Sequence, residues 1–147
     1  MSRWIVETPL ALEPLLAETE DSASGALVIF YGTVRDNNDG RRVRSMAYEA
    51  HVSMAENVLR EIEAETTVKF GVQHCRIQHR VGHLELGEPS IIIVVRAGHR
   101  DEAYAASRYA IDEVKRRAPI WKEEHYADGD SRYLDGVPLQ RKDSTQA

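Results

Sequence analysis

The sequence predicts a single α+β domain, residues 1–134, with a mixed or antiparallel sheet and packed helices. Two apolar runs rich in β-branched and aromatic residues, 26–35 and 90–97, have the composition of strands. Two further segments, 52–68 and 101–118, repeat apolar residues at intervals of three and four, which is the period of an amphipathic helix. A chain of 147 residues has the length of one such domain.

The first elements precede the long apolar runs. Residues 3–7 predict a short strand, and residues 18–24 are acidic and small, which is typical of an exposed loop. The sequence leaves open whether the first 24 residues pack against the domain or merely cover it. A short helix is predicted over 9–20, and its apolar side chains are Leu10, Leu12, Leu15 and Leu16.

Residues 26–35 form a continuous apolar run and predict a strand that is covered on both faces. Residues 36–42 are rich in Asp, Asn and Gly and predict a polar, flexible connection. Residues 43–50 alternate in polarity, with Met46 and Tyr48 on one face. We expect this second strand to pair with the first as an antiparallel hairpin.

The middle of the chain predicts a helix, further strands and the centre of the sheet. The helix over 52–68 is followed by Gly71, which can end it in a left-handed conformation. Residues 72–86 predict one or two strands, broken near Gly82. Residues 90–97 contain the most apolar run of the chain and predict its central strand.

The last predicted helix, 101–118, ends at Pro119, because proline lacks an N–H and disfavours helix at the preceding residue. Two short strands are predicted after it, at 120–126 and 131–134. Residues 135–147 are polar and predict a flexible tail.

Two lysines are the candidate catalytic residues. Lys115 lies in the last turn of this helix, at the border of its apolar stripe, and Lys122 lies just past the corner made by Pro119. If Trp121 packs inward, Lys122 projects to the opposite face of the strand. Partial burial and nearby arginines favour the neutral, nucleophilic form of an amine. Spacing alone leaves open that both are ordinary surface lysines.

Two further cations stand where strands end. Arg35 ends the first apolar run, and His99-Arg100 follows the central strand where the helix of Lys115 begins. A helix N-terminus favours an anion. Arg35, Arg100, Lys115 and Lys122 therefore predict a cationic pocket for a phosphate or carboxylate, on a protein of net charge −5. The alternative is that each arginine is solvated or paired with a surface acid.

Other classes of function lack their signals. The negative net charge argues against nucleic-acid binding, and a single cysteine, Cys75, excludes an internal disulfide and predicts a buried structural thiol. His79 and His83 have helical metal-ligand spacing, but Gly82 and the β-like context argue against a metal site. We find no nucleotide-binding glycine motif, and we expect no metal and no cofactor. With neither a signal peptide nor a bilayer-spanning apolar run, we expect a cytoplasmic protein without membrane contact.

Taken together, these residues resemble the family of the large, catalytic subunit of molybdopterin synthase. The resemblance covers about residues 25–134 and rests on the order and joint presence of several pieces. In chain order they are Gly25-Ala26, Phe30-x-Gly32-x-Val34-Arg35, Tyr48-Glu49-Ala50 with Met54-Ala55, His79-Arg80-Val81-Gly82, Gly98-His99-Arg100, and Lys115-x-x-Ala118-Pro119-Ile120-Trp121-Lys122-x-Glu124.

The resemblance implies an α/β-hammerhead type of fold and a sulfurtransferase of molybdenum cofactor biosynthesis. The implied reaction converts cyclic pyranopterin monophosphate to molybdopterin by making its dithiolene. The sulfur comes from a thiocarboxylate on the C-terminal Gly-Gly of a small ubiquitin-like carrier subunit. A homodimer of the large subunit with two carriers forms the implied heterotetramer. An outside sulfur donor would explain why the predicted pocket lacks a nucleophile of its own.

The resemblance also assigns roles to individual residues. Lys115 and Lys122 would be catalytic. Thr33 and Glu123 depart from the family, which commonly has basic residues there, and the sequence does not align Arg132 or Arg141 with an arginine that the second subunit would contribute. The implied substrate-binding residues are Thr33, Val34, Arg35, His99, Arg100, Lys115, Lys122, Glu123 and Glu124.

Two other functions use the same residues. A non-catalytic dimeric module could bind a phosphorylated metabolite through the four cations without chemistry. A scaffold for a ubiquitin-like partner would need an interface but neither lysine.

Overall fold

Two β-sheets and three helices make up residues 1–134, the part of the chain that this computed structural model describes. This arrangement confirms the predicted α+β class, whereas the predicted tail lies outside the described residues. The helices are α1 Leu12–Glu18, α2 Val52–Phe70 and α3 Arg100–Arg117. The strands are β1 Ile5–Val6, β2 Ala26–Thr33, β3 Asn37–Asn38, β4 Arg41–Ala50, β5 His74–Arg80, β6 Gly82–Glu85, β7 Pro89–Ala97, β8 Ile120–Tyr126 and β9 Ser131–Leu134.

The first sheet has the strand order β1-β5-β7-β2 and carries the main core. Only β1 and β5 are parallel; the other pairs are antiparallel. On one face of β7, Ile91, Ile93 and Val95 pack with α2 and α3, and on the other face Ile92 and Val94 lie in a cluster with α1. Burial on both faces confirms the prediction that this segment is the central strand.

Two predictions about β2 are wrong. Its side chains alternate between half-buried and exposed, so it is covered on one face only, and Leu27, Ile29 and Tyr31 point outward. It pairs with β7 rather than β4, at the edge of the first sheet. The physical reason is non-local: α1 packs over β7 and leaves the outer face of β2 uncovered, while β4 takes its partners from a different sheet.

The second sheet has the order β3-β4-β8-β9, with β6 also paired to β4. Residues 36–42, predicted to be flexible, instead contain a tight hairpin in which Asn38 and Arg41 are paired. Between them, Asp39 and Gly40 have φ values of 50° and 83°. Two successive positive φ values are the conformation of a type I′ turn, for which Asp-Gly is a favoured sequence.

The predicted corner at Pro119 is confirmed. Helix α3 ends at Arg117, and β8 begins at Ile120 after only two residues. The Pro119 carbonyl accepts a hydrogen bond from the His51 N–H at 3.1 Å, which fixes the corner against the start of α2. The C-terminal end of α3 therefore meets the second sheet at a defined place. No helix in the described part of the chain is both long and apolar enough to cross a membrane.

Candidate active site

A cavity of about 620 Å³ lies where the C-terminal end of α3 meets both sheets. Its cationic side chains are Arg35, Lys115 and Lys122, and its one carboxylate among the described residues is Glu124. The apolar part of the wall comes from all the elements that meet there: Phe30, Met46, Ile91, Ile111, Val114 and Ile120. A cavity with three cations and an apolar floor can bind a small anionic ligand that also has a flat or apolar part.

The two candidate lysines reach this cavity from different elements. Lys115 lies in the last turn of α3, directly after Val114, which is buried. Lys122 lies on β8, where its backbone is paired with Tyr48 of β4. Trp121 is not packed inward, because its side chain is partly exposed and its indole N–H donates to Glu49 Oε1 at 2.9 Å. The short turn between α3 and β8 is what brings the two amines to one cavity.

Five of the residues singled out from the sequence line the cavity, and four do not. Val34 is buried beside it, in an apolar cluster with Met46 and Leu84. Glu123 lies outside the lining and contacts His125 Nε2 at 3.3 Å. The five lining residues are Thr33, Arg35, Lys115, Lys122 and Glu124.

His99 and Arg100 lie at the opposite end of α3 from Lys115. At about 1.5 Å per residue, Arg100 and Lys115 are roughly 22 Å apart along the helix axis. The His99 side chain is 87% exposed and lies 3.7 Å from Glu102. One chain therefore does not form the predicted pocket of four cations, because the two ends of a long helix cannot meet. Of the two arginines with unassigned roles, Arg132 is exposed on β9 and Arg141 lies outside the described residues.

His79 is a lining residue to which the sequence assigned no role in the site. It lies on the face of β5 that packs against the helices, is 6% exposed, and is paired with Ile91 of β7. Its Nδ1 is 2.8 Å from the Arg80 carbonyl oxygen, so Nδ1 carries the proton and Nε2 remains an acceptor. The ring also meets Tyr48 edge to face at 5.0 Å. The spacing to His83 pointed only to a metal pair, and it gave no signal for this buried role.

Burial, with a smaller effect from the nearby positive charge of Lys115, lowers the pKa of His79 to about 4. His79 is therefore neutral near pH 7 and presents no competing positive charge to the lysine. His83 lies on a different strand, β6, and is exposed beside Glu85. Among residues 1–134 there is no group of three or more side chains that could hold a metal ion.

The depressed pKa of His79 gives a testable dependence of stability on pH. Below pH 6.5 the unfolded chain protonates this ring, while the folded protein does not until about pH 4. Its contribution to stability is therefore complete above pH 6.5 and falls by about 3 kcal/mol as the pH drops to 4. We expect the free energy of unfolding, measured in urea at a series of pH values, to fall in this way in the wild type and to fall less in His79→Gln, which can still donate to the Arg80 carbonyl. The same pH dependence in both proteins would contradict the assignment.

Cys75 is not a candidate nucleophile. Burial raises the pKa of its thiol to about 12, so the reactive thiolate is absent at neutral pH. The residue is 5% exposed in the main core and does not line the cavity. The prediction of a buried structural thiol is confirmed.

Comparison with known proteins points to one family. Residues 5–117 match the family described as "MoaE protein". A protein of Nostoc sp. named molybdopterin synthase catalytic subunit is 43% identical over 131 residues, which cover 88% of this chain and 79% of that protein. The same name is carried by a protein of Pyrococcus abyssi that is 41% identical over 133 residues, covering 88% of this chain and 89% of that protein.

Solved structures agree with the sequence matches. The crystal structure of molybdopterin synthase from Staphylococcus aureus has a TM-score of 0.84 and 35% identity, and covers 90% of this chain and 96% of that one. A protein–protein complex of subunits 1 and 2 of molybdopterin-converting factor from Helicobacter pylori contains a chain with a TM-score of 0.71. At 21% identity, and with 95% of each chain covered, this second likeness supports the fold alone.

Proposed function

The chain belongs to the MoaE protein family, and on this premise we propose that it transfers sulfur to cyclic pyranopterin monophosphate to form the dithiolene of molybdopterin. The donor is the C-terminal thiocarboxylate of a small ubiquitin-like carrier subunit. One observation carries the proposal: Arg35, Lys115 and Lys122 converge on a cavity whose described lining contains no cysteine. A sulfur transfer in such a cavity requires a donor that arrives from outside.

The cations of the cavity suit the two charged parts of this reaction. Arg35 and Lys122 can bind the phosphate of the pterin, since guanidinium and ammonium groups are the usual partners of phosphate oxygens. In each transfer the carrier sulfur forms a C–S bond to a carbon of the substrate while a C–O bond at the same carbon breaks, and that oxygen leaves as water or stays on the phosphate. Water then takes the acyl group of the carrier, which breaks the acyl–S bond and leaves the sulfur on the pterin. Lys115 can stabilise the negative charge that develops in these steps or move a proton.

A second, more open cavity supports the entry of the carrier tail. It has a volume of about 570 Å³ and shares Tyr48 and Trp121 with the main cavity. Gly82 and Ala50 also line it, so its wall has little side-chain bulk at these positions. An extended peptide that ends in two glycines can pass close to such a wall. We therefore assign the path of the carrier C-terminus to this groove.

The proposed assembly is a homodimer within a heterotetramer that contains two carriers, in the cytoplasm. The outer face of β2 supports a contact with a second copy, because Leu27, Ile29 and Tyr31 are exposed together on an edge strand. Contiguous exposed apolar side chains are typical of interaction surfaces.

A reconstituted reaction tests the proposed function. The purified protein is mixed with thiocarboxylated carrier and cyclic pyranopterin monophosphate, and the dithiolene product is measured. The matched control is the same carrier with an ordinary C-terminal carboxylate, which has no sulfur to give. We expect product only with the thiocarboxylate. If the pterin binds but no product forms, the protein is a binding module for a phosphorylated metabolite and the proposal is wrong.

A further inference from the structure

Glu124 is a buried carboxylate in the cavity that has no cationic partner within residues 1–134. Its side chain is 4% exposed, yet it lines the cavity together with the lysines and Arg35. Among the described residues, no lysine, arginine or histidine forms an ion pair with it. Buried carboxylates normally have a cation or several hydrogen-bond donors as partners. The hydrogen-bond donors around Glu124 therefore determine which of its oxygens can accept a bond from a ligand.

Two neutral donors hold one oxygen of this carboxylate. The Tyr126 hydroxyl donates to Glu124 Oε1 at 2.6 Å, and the Asn38 side-chain amide donates to the same oxygen at 2.9 Å. Tyr126 and Glu124 lie two apart on β8, so their side chains share a face. Burial, together with the bond to Glu124, raises the pKa of Tyr126, so its hydroxyl remains a donor at neutral pH.

The hairpin that carries Asn38 is braced on its other side. The Arg41 guanidinium lies 3.7 Å from the centre of the Tyr126 ring and forms ion pairs with Asp128 at 2.8 Å and Asp130 at 3.3 Å. The type I′ turn fixes the position of Asn38 relative to Arg41. The hairpin thus carries the Asn38 amide to a defined place, 86 residues away in sequence from Glu124.

We propose that Asn38 and Tyr126 are positioning residues that direct Glu124 Oε2 into the cavity, where it accepts an N–H of the nitrogen heterocycle of the substrate. This inference rests on the proposed function, because it names the group that recognises the pterin ring while the cations bind the phosphate. Among the described residues both donors bind Oε1, so Oε2 is the oxygen available to a ligand. A carboxylate without a cationic partner is suited to neutral N–H donors, such as those of a pterin.

A double-mutant cycle tests the role of Asn38. Asn38→Ala is expected to weaken binding of cyclic pyranopterin monophosphate about 5- to 10-fold by calorimetry, and to raise KM with kcat within about twofold, as the loss of one hydrogen bond to a charged group would. In a Glu124→Ala background, the same change is expected to have less than about a twofold effect, because Asn38 acts only through that carboxylate. Tyr126→Phe keeps the ring under Arg41 and is expected to behave like Asn38→Ala.

Asn37→Ala is the matched control. Asn37 is the neighbouring residue of the same hairpin, is exposed, and donates to Asp36 at 3.0 Å rather than to the cavity. Equal losses of pterin affinity in Asn37→Ala and Asn38→Ala would overturn the inference. So would a loss of affinity from Asn38→Ala that is as large in the Glu124→Ala protein as in the wild type. If the wild type binds the pterin but forms no dithiolene, the proposed function fails, while the binding cycle still decides the role of Asn38.

Discussion

Replacing Lys115 by alanine is expected to lower the rate of dithiolene formation by about 10²–10³-fold, which is the usual effect of removing one charge-stabilising group from an active site. Folding is expected to change little, because Lys115 follows the buried stripe of α3 and the packing of Ile111 and Val114 remains. Carrier binding is expected to stay near normal, since the proposed path of the tail is lined by other residues. The measurement is turnover in the reconstituted reaction, with pulldown of the carrier alongside it.

Arg116→Ala is the control for this experiment. Arg116 is the next residue on the same turn, but it is exposed and pairs with Glu113 at 2.6 Å instead of facing the cavity. We expect its turnover to remain within about twofold of the wild type, since exposed ion pairs contribute little. Turnover in Lys115→Ala equal to that in Arg116→Ala would remove Lys115 from the mechanism.

Lys115→Arg separates the two roles that Lys115 can have. Arginine keeps a positive charge but does not give up its proton in proteins. If Lys115 only stabilises charge, the arginine protein is expected to recover part of the activity that alanine loses. If Lys115 moves a proton, the arginine protein is expected to be as inactive as the alanine protein.

The part of the site that could be predicted from the sequence is the local part. Helical spacing and Pro119 indicated that Lys115 lies in a last turn and Lys122 just past a corner, and the structure has both beside one cavity. Only seven positions separate these residues, so the chain itself restricts how far apart they can lie. Arg35, which follows the end of β2 by two residues, was also visible at the end of an apolar run.

The non-local parts could not be predicted in the same way. The hydrophobic pattern of a segment indicates that it is a strand but not which strand it pairs with. For this reason β2 was expected beside β4, whereas its partner is β7. His99 and Arg100 were correctly expected at the start of a helix, but that helix carries them away from Lys115. Asn38 reaches Glu124 only through the fold of the second sheet.

Two features of the sequence carried more structural information than the predictions used. Asp39-Gly40 between polar residues is a strong hairpin signal, and it would have predicted the tight turn in place of a flexible connection. His79 and Arg76 lie in a segment that is buried from Cys75 to His79. Polar residues in such a strand need partners inside the protein, but the sequence does not say which groups those partners are.

The N-terminal segment packs onto the domain through a buried cluster centred on Arg76. This guanidinium donates to Glu18 at 3.1 Å, to Glu63 at 2.6 Å and to the Ser2 carbonyl at 2.7 Å. Leu15 is fully buried against β7 nearby. The first residues are therefore part of the folded structure, and Arg76 joins them to α2 and to the centre of the first sheet.

Arg76→Met is expected to lower the free energy of unfolding by about 3–5 kcal/mol, the usual cost of leaving a buried charge without its partner. Burial already raises the pKa of Glu63, and the positive charge of Arg76 opposes that effect. Without the guanidinium, the carboxylate of Glu63 must stay buried and uncompensated or take up a proton. The measurement is urea unfolding at neutral pH, followed by far-UV circular dichroism.

Two further variants show whether the uncompensated charge is the cause of this loss. Arg108→Met removes an exposed arginine paired with Asp112 at 3.0 Å, and we expect it to change stability by less than about 1 kcal/mol. Combining Arg76→Met with Glu63→Gln is expected to recover part of the loss, because glutamine is neutral and keeps an oxygen for the Ile77 N–H, which lies 2.7 Å from Glu63 Oε2. If the double variant is no more stable than Arg76→Met, lost packing rather than the buried charge dominates. Equal effects of Arg76→Met and Arg108→Met would mean that the cluster does not hold the N-terminal segment in place.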